Sequence, residues 1–245
     1  MTDLDPALTV LLVSSAAAFT AALGVLPQGL TGRMPRPLLG WGNALAAGLM
    51  LGVAYSLMAV AETGQIWQVA AGAALGLGFV RLAHIGAGTE GLDLNRLDEV
   101  GPAYGYQVVL VHTLHGAYEG VAIGIAMLVS LPFGISMAAA LAIHNIPEAM
   151  VLNAILASRG VRPRHAAGLV VATNVNQVLV AVVIFTVAGA LPALFPWALG
   201  FAAGALVYLL LAELLPESYE QSGHTSIALV ALLAMGMVVA LGGAR

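Results

Sequence analysis

The sequence predicts an all-α integral membrane protein, a bundle of eight transmembrane helices with both termini outside. Three observations predict it. The chain is 60% hydrophobic and only 8% charged over 245 residues, with a mean hydropathy of +0.97, which is too little charge to cover a soluble domain of that size. Apolar stretches long enough to cross hydrocarbon, roughly 20 residues each, recur eight times. Short connections rich in Gly and Pro separate most of them and stop one helix before the next begins. A soluble enzyme and a nucleic-acid-binding protein are both excluded by this balance, and the net charge of −4 adds little, because a membrane protein's field depends on which side its charges face.

Taken in order, the spans fall at about 7–28, 39–61, 66–84, 104–130, 134–158, 165–189, 192–215 and 223–243. The acidic start Met1-Thr2-Asp3-Leu4-Asp5-Pro6 is a poor signal peptide, so the first stretch is expected to remain as helix one. Thr31-Gly32-Arg33-Met34-Pro35-Arg36-Pro37 separates it from helix two. Helix three carries the small-residue run Ala70-Ala71-Gly72-Ala73-Ala74-Leu75-Gly76-Leu77-Gly78, which suits close packing. A longer loop, about 86–103, holds Glu90, Asp93, Arg96, Asp98 and Glu99 and divides three helices from five. Ser158-Arg159-Gly160-Val161-Arg162-Pro163-Arg164 ends helix five, and Pro216 interrupts helix seven near its end. No soluble domain is left over, so residues 1–245 read as one transmembrane domain.

There is no lysine and no cysteine. Arginine is the only fixed cation, and Arg33, Arg36, Arg81, Arg96, Arg159, Arg162 and Arg164 all fall on one side, which the positive-inside rule makes cytoplasmic. Disulfides and thiolate metal ligands are excluded.

The chemistry lies in two histidine–carboxylate pairs at helical spacing, His115 with Glu119 and His144 with Glu148. Ionisable side chains deep in hydrocarbon are costly and mark function. Side chains four apart on a helix are neighbours, so each pair can reach one bound ion. Gly116, Gly120 and Gly124 form a ridge for close helix packing, and Pro147 should kink helix five near His144 and free a carbonyl. If the two helices face each other, two imidazoles and two carboxylates surround one point. That donor set suits zinc and admits iron(II), manganese(II), cobalt(II) or cadmium, and two carboxylates neutralise a divalent ion in the membrane. His112, one turn earlier, serves as an extra ligand, a gate or a hydrogen-bonding residue. In Thr173-Asn174-Val175-Asn176-Gln177, Asn174 and Gln177 can share a face and either line a wet site or bond helix to helix.

His144-Asn145-Ile146-Pro147-Glu148, preceded by His115-Gly116-Ala117-Tyr118-Glu119-Gly120, resembles the paired metal-binding signatures of the ZIP (Zrt/Irt-like protein) family of divalent metal-ion transporters. The stretch from Gly42 to Gly52 is similar to that family's helix two, and Gly204 to Tyr208 with Glu213 to Glu217 to its helix seven. The resemblance implies a carrier, not an enzyme, that moves a divalent metal, zinc foremost, into the cytoplasm by alternating access. It implies a transport site at His115, Glu119, His144 and Glu148, a homodimer, and a bacterial inner membrane. Positions that hold a second, adjacent ion in many relatives read Gly116, Asn145 and Gln177 here. One ion is therefore expected, with Asn145, Asn174 and Gln177 as indirect or transient contacts. Glu213 matches a position near the release side, although the preceding residue is Ala212 instead of the usual histidine. Glu217, Glu220, His224, His84 and the loop acids read as solvated. The competing classes are an intramembrane metal-dependent hydrolase, for which no His-Glu-x-x-His arrangement is present, and a proton pathway through the same side chains.

Overall fold

The computed structural model describes residues 5–27, 35–89 and 102–243. Eight helices among them are long and apolar enough to cross a membrane, and no described residue is in a β-strand. The chain is an integral membrane protein. The loop acids Glu90, Asp93, Asp98 and Glu99, together with Arg33 and Arg96, lie outside the described residues.

Helix α1 spans Pro6–Val25. It starts where Asp5 Oδ1 accepts from the amides of Ala7 (2.8 Å) and Leu8 (3.2 Å), which satisfies two of the free N–H groups of the first turn. Its last residues, Ala21–Val25, tighten into a 3₁₀ turn. The remaining helices are α2 (Arg36–Met58), α3 (Ile66–Ala87), α4 (Pro102–Val129), α5 (Leu131–Ser158), α6 (Pro163–Ala190), α7 (Pro192–Gln221) and α8 (His224–Gly243). Proline in the first turn opens α2, α5 and α6, where a missing N–H costs nothing.

Most boundaries fall within a few residues of the sequence-based spans. The exception is α7, expected to stop near 215. It continues to Gln221 because Leu210–Leu214 widens into a π turn, and Pro216 enters as an early residue of the renewed helix, where its ring meets no established carbonyl contact. Pro147 likewise lies inside an uninterrupted α5.

Glycine sets which helices pair. A β-carbon on Gly72 would collide with the carbonyl oxygen of Trp197, and one on Gly204 with that of Ala73, so α3 and α7 meet backbone to backbone. Gly48 stands in the same relation to Ala231 and brings α8 onto α2. On α4, a β-carbon at Gly120 would lie 2.5 Å from Gln177 O and one at Gly124 2.6 Å from Ala181 O. The expected ridge therefore packs on α6.

Two four-helix groups result. Helices α1, α4, α5 and α6 pack on one another, as do α2, α3, α7 and α8, with α2 against α5 and α4 against α7 joining the groups. Alternation of helix direction places Arg36, Arg81, Arg159, Arg162 and Arg164 at the same end of the bundle.

Candidate metal centre

The centre is built where α4 and α5 face each other. Glu119 and His144 are 0% and 1% exposed, and Glu148 and His115 are also buried. His144 Nε2 lies 2.8 Å from Glu119 Oε1 and 3.5 Å from Glu148 Oε2. One ligand atom from each of these three residues falls within 4.8 Å of the others. His115 stands beside them, with Nδ1 3.7 Å from Glu148 Oε1.

The orientation of these atoms carries the chemistry. Both ring nitrogens of His115, His144 Nδ1, Glu119 Oε2 and Glu148 Oε1 are buried with no hydrogen-bond partner, and the approach of His144 Nε2 to Glu119 Oε1 is the shortest polar contact among the four residues. Buried polar groups are ordinarily paired, and leaving several unpaired in one place is costly. Imidazole nitrogens and carboxylate oxygens that converge on one point with so few partners elsewhere are shaped for a cation. Two carboxylates and two neutral imidazoles would cancel a 2+ charge in a fourfold nitrogen and oxygen environment.

The four residues come together; of the two pairs that their spacing implies, His144 with Glu148 is made along α5 at 3.5 Å, while the other is exchanged. Instead of His115 with Glu119 along α4, the close contacts cross between helices: Glu119 reaches His144 of α5, and His115 reaches Glu148. The tight group is Glu119, His144 and Glu148. His115 lies one step outward, its Nε2 3.5 Å from Glu213 Oε2 on α7.

The polar neighbours divide by partner. Asn145 Nδ2 donates to Ala17 O (3.1 Å) and to Gln177 Oε1 (3.2 Å), which ties α5 to α1 and α6. Asn174 Nδ2 donates to Val170 O on its own helix, and Asn176 Nδ2 bridges to Thr113 O of α4 at 3.0 Å. His112 Nδ1 sits 2.9 Å from Val108 O, which ties its ring to the backbone one turn earlier on α4.

A small cavity of about 20 Å³, lined by His112, His115, His144 and Glu148 on one side and Asn43, Glu213 and Glu217 on the other, leads from the centre toward the arginine-rich end. It has room for about one water-sized occupant. Its walls come from different helix groups, α4 and α5 facing α2 and α7.

Three residues stand differently from the sequence reading. Glu217 is not a solvated loop residue; it lines the cavity on α7 and accepts from Asn43 Nδ2 at 3.3 Å. Asn43 had no role assigned, and its place in an otherwise apolar span was the available signal. His84 is 6% exposed and not solvated, with Nε2 3.3 Å from Glu213 Oε1.

A family model described as ZIP zinc transporter matches residues 95–242. A candidate zinc transporter of Arabidopsis thaliana is 34% identical over 239 residues, covering 95% of this chain and 38% of that protein. The zinc transporter GufA of Myxococcus xanthus is 31% identical over 139 residues (55% of each chain). The zinc transporter ZIPB of Bordetella bronchiseptica is 30% identical over 152 residues (62% of this chain, 47% of that one). The matched stretches thus span between about two fifths and just over half of these relatives' own lengths.

Proposed function

The chain belongs to the ZIP zinc transporter family, and on that premise we propose that it carries a divalent transition-metal ion, zinc foremost, across its membrane toward the cytoplasm through one His/Glu centre. The observation that carries the reading is the convergence of Glu119, His144 and Glu148, with His115 beside them, as buried ligand atoms that have few or no hydrogen-bond partners outside the group. The relatives are named zinc transporters, and the donor set accepts zinc along with iron(II), manganese(II) and cadmium.

A cation entering this centre exchanges its water shell for imidazole nitrogens and carboxylate oxygens. The two carboxylates offset the desolvation cost of holding it in the membrane. Departure needs a competing ligand, and Glu213 beside His115 supplies one at the mouth of the cavity.

All four central ligands sit on α4 and α5, inside one helix group. The opposite wall, Asn43, Glu213 and Glu217, belongs to the other. Alternating access follows from moving one group past the other, because that motion carries the ion while changing the wall it faces. An apolar hollow of about 460 Å³ between Phe79, Tyr118, Val121, Val180 and Trp197 leaves the seam loosely filled on the side away from the arginines. The arginine-rich end is read as cytoplasmic, the whole chain as one transmembrane domain in a bacterial inner membrane, and its assembly as a homodimer.

Zinc uptake into proteoliposomes loaded with a metal-sensitive dye tests the assignment. The wild-type chain should fill the vesicles, and the double variant His144→Ala, Glu148→Ala should fall to the rate of empty vesicles. Uptake that survives in the double variant would overturn the site.

A further inference from the structure

We propose that the apolar hollow between α3, α4, α6 and α7 is a binding site for an acyl chain of an outer-leaflet phospholipid, seated in the seam between the two helix groups. The inference rests on how the helices pack and on their place in a membrane, and it stands whatever ion the centre carries.

Both groups build the hollow. Phe79 of α3 and Trp197 of α7 line it from one, Ala117 of α4 and Val180 of α6 from the other. Its cause lies in the glycines. Gly72, Gly76, Gly200 and Gly204 close α3 onto α7, and Gly120 and Gly124 close α4 onto α6, so each pair is tight and the space is left between the pairs. It measures about 460 Å³, and an apolar cavity about a third as large takes up benzene.

Depth and lining decide the occupant. On the side away from the arginines, α7 begins at Pro192 and α3 at Ile66. At 1.5 Å per residue, Trp197 lies about 8 Å and Phe79 about 20 Å below those starts, which puts the walls within a hydrocarbon layer about 30 Å thick. Leu75, Phe79 and Trp197 are exposed, so the hollow opens onto the bilayer. No charged side chain lines it, and a headgroup therefore finds no partner there. Water needs two to four polar partners, and apart from the Tyr118 hydroxyl and the Trp197 indole the walls are hydrocarbon. What remains at that depth is an acyl chain.

The inner end is made of rings. Phe79 meets Tyr118 edge-on with centroids 6.2 Å apart and tilts against Phe201 at 5.6 Å. Tyr118 directly precedes Glu119, so α4 presents one residue to the hollow and the next to the metal centre. A flexible chain can follow this seam as its walls shift, whereas a side chain anchored to one group cannot.

Tryptophan fluorescence tests the site, because the chain has three tryptophans. With Trp41→Phe and Trp67→Phe, Trp197 alone reports on the hollow. With Trp41→Phe and Trp197→Phe, Trp67, which is 82% exposed at the start of α3, reports on the general lipid surface. The purified full-length protein in detergent is titrated with phosphatidylcholine brominated at mid-chain, which quenches the indoles it touches. Quenching of Trp197 should saturate at one lipid per chain and be reversed by excess unbrominated lipid, while quenching of Trp67 should rise with lipid fraction without saturating. Ala117→Leu with Ala198→Leu, which fill the hollow from both groups, should abolish the saturable part. Val121→Phe replaces that pair if it elutes as aggregate on size exclusion. No saturation at Trp197, the same saturation at Trp67, or saturation unmoved by filling would overturn the proposal. Quenching of Trp197 that appears only on dilution from dimer to monomer would overturn it too, since a second copy then covers the hollow.

Discussion

At the scale of single residues, the spacing of His115, Glu119, His144 and Glu148 was readable because i,i+4 geometry is local. What those side chains touch was not. The approach of Glu119 to His144, and of His115 to Glu148 and Glu213, depends on how α4, α5 and α7 are rotated about their axes, which no single segment encodes. His84 shows the same limit: its partner Glu213 is brought near by the α3/α7 packing, and a histidine near a helix end reads as solvated until that packing is known. The amides separate into roles for a related reason. Asn145 spends its N–H₂ on Ala17 O and Gln177, so Asn145→Ala should cost about 1–3 kcal/mol of stability by leaving buried acceptors unpaired. Denaturant unfolding in detergent would measure that loss. Zinc affinity in the same variant should change by less than about tenfold, a shift of 1.4 kcal/mol, whereas His144→Ala should remove tight binding.

At the scale of helices, hydropathy located all eight spans, since crossing the membrane demands length and apolarity of each segment separately. Glycine spacing signalled close packing on α4 without naming the neighbour. The partner is identified only by where a side chain cannot fit. Gly204→Val should break the α3/α7 contact, because its side chain would run into the backbone at Ala73, and backbone there cannot yield without separating the helices; loss of monodisperse protein on size exclusion is the expected result. Gly78→Ala is the control. Nothing lies within 4 Å of its added carbon, so its unfolding midpoint should stay at or slightly above the parent's, helix propensity favouring alanine by about 1 kcal/mol. The continuation of α7 past Pro216 was not legible either, because a π turn is a tertiary accommodation with no sequence signature of its own.

At the scale of the whole molecule, the cavity between the helix groups links structure to movement. Val151 on α5 and Leu214 on α7 both line it, one from each helix group. Cysteines at both positions, joined by a short bifunctional thiol reagent, should stop uptake, and cleavage of the linker should restore it. Full uptake with the bridge intact would show that the groups need not part there. The division of labour between the groups also bears on the surrounding bilayer. Helices α4, α5 and α6 each contain 28 residues, about 42 Å of helix in a hydrocarbon layer of about 30 Å. These three helices of the ion-bearing group therefore have slack at their ends, whereas α1, at 20 residues, is only as long as the layer is thick. Displaced along the membrane normal by a helical turn, about 5.4 Å, the three long helices still span the oil with both polar ends in water, so the lipid resists the stroke only at the short α1 and the protein's own contacts are left to set where it stops.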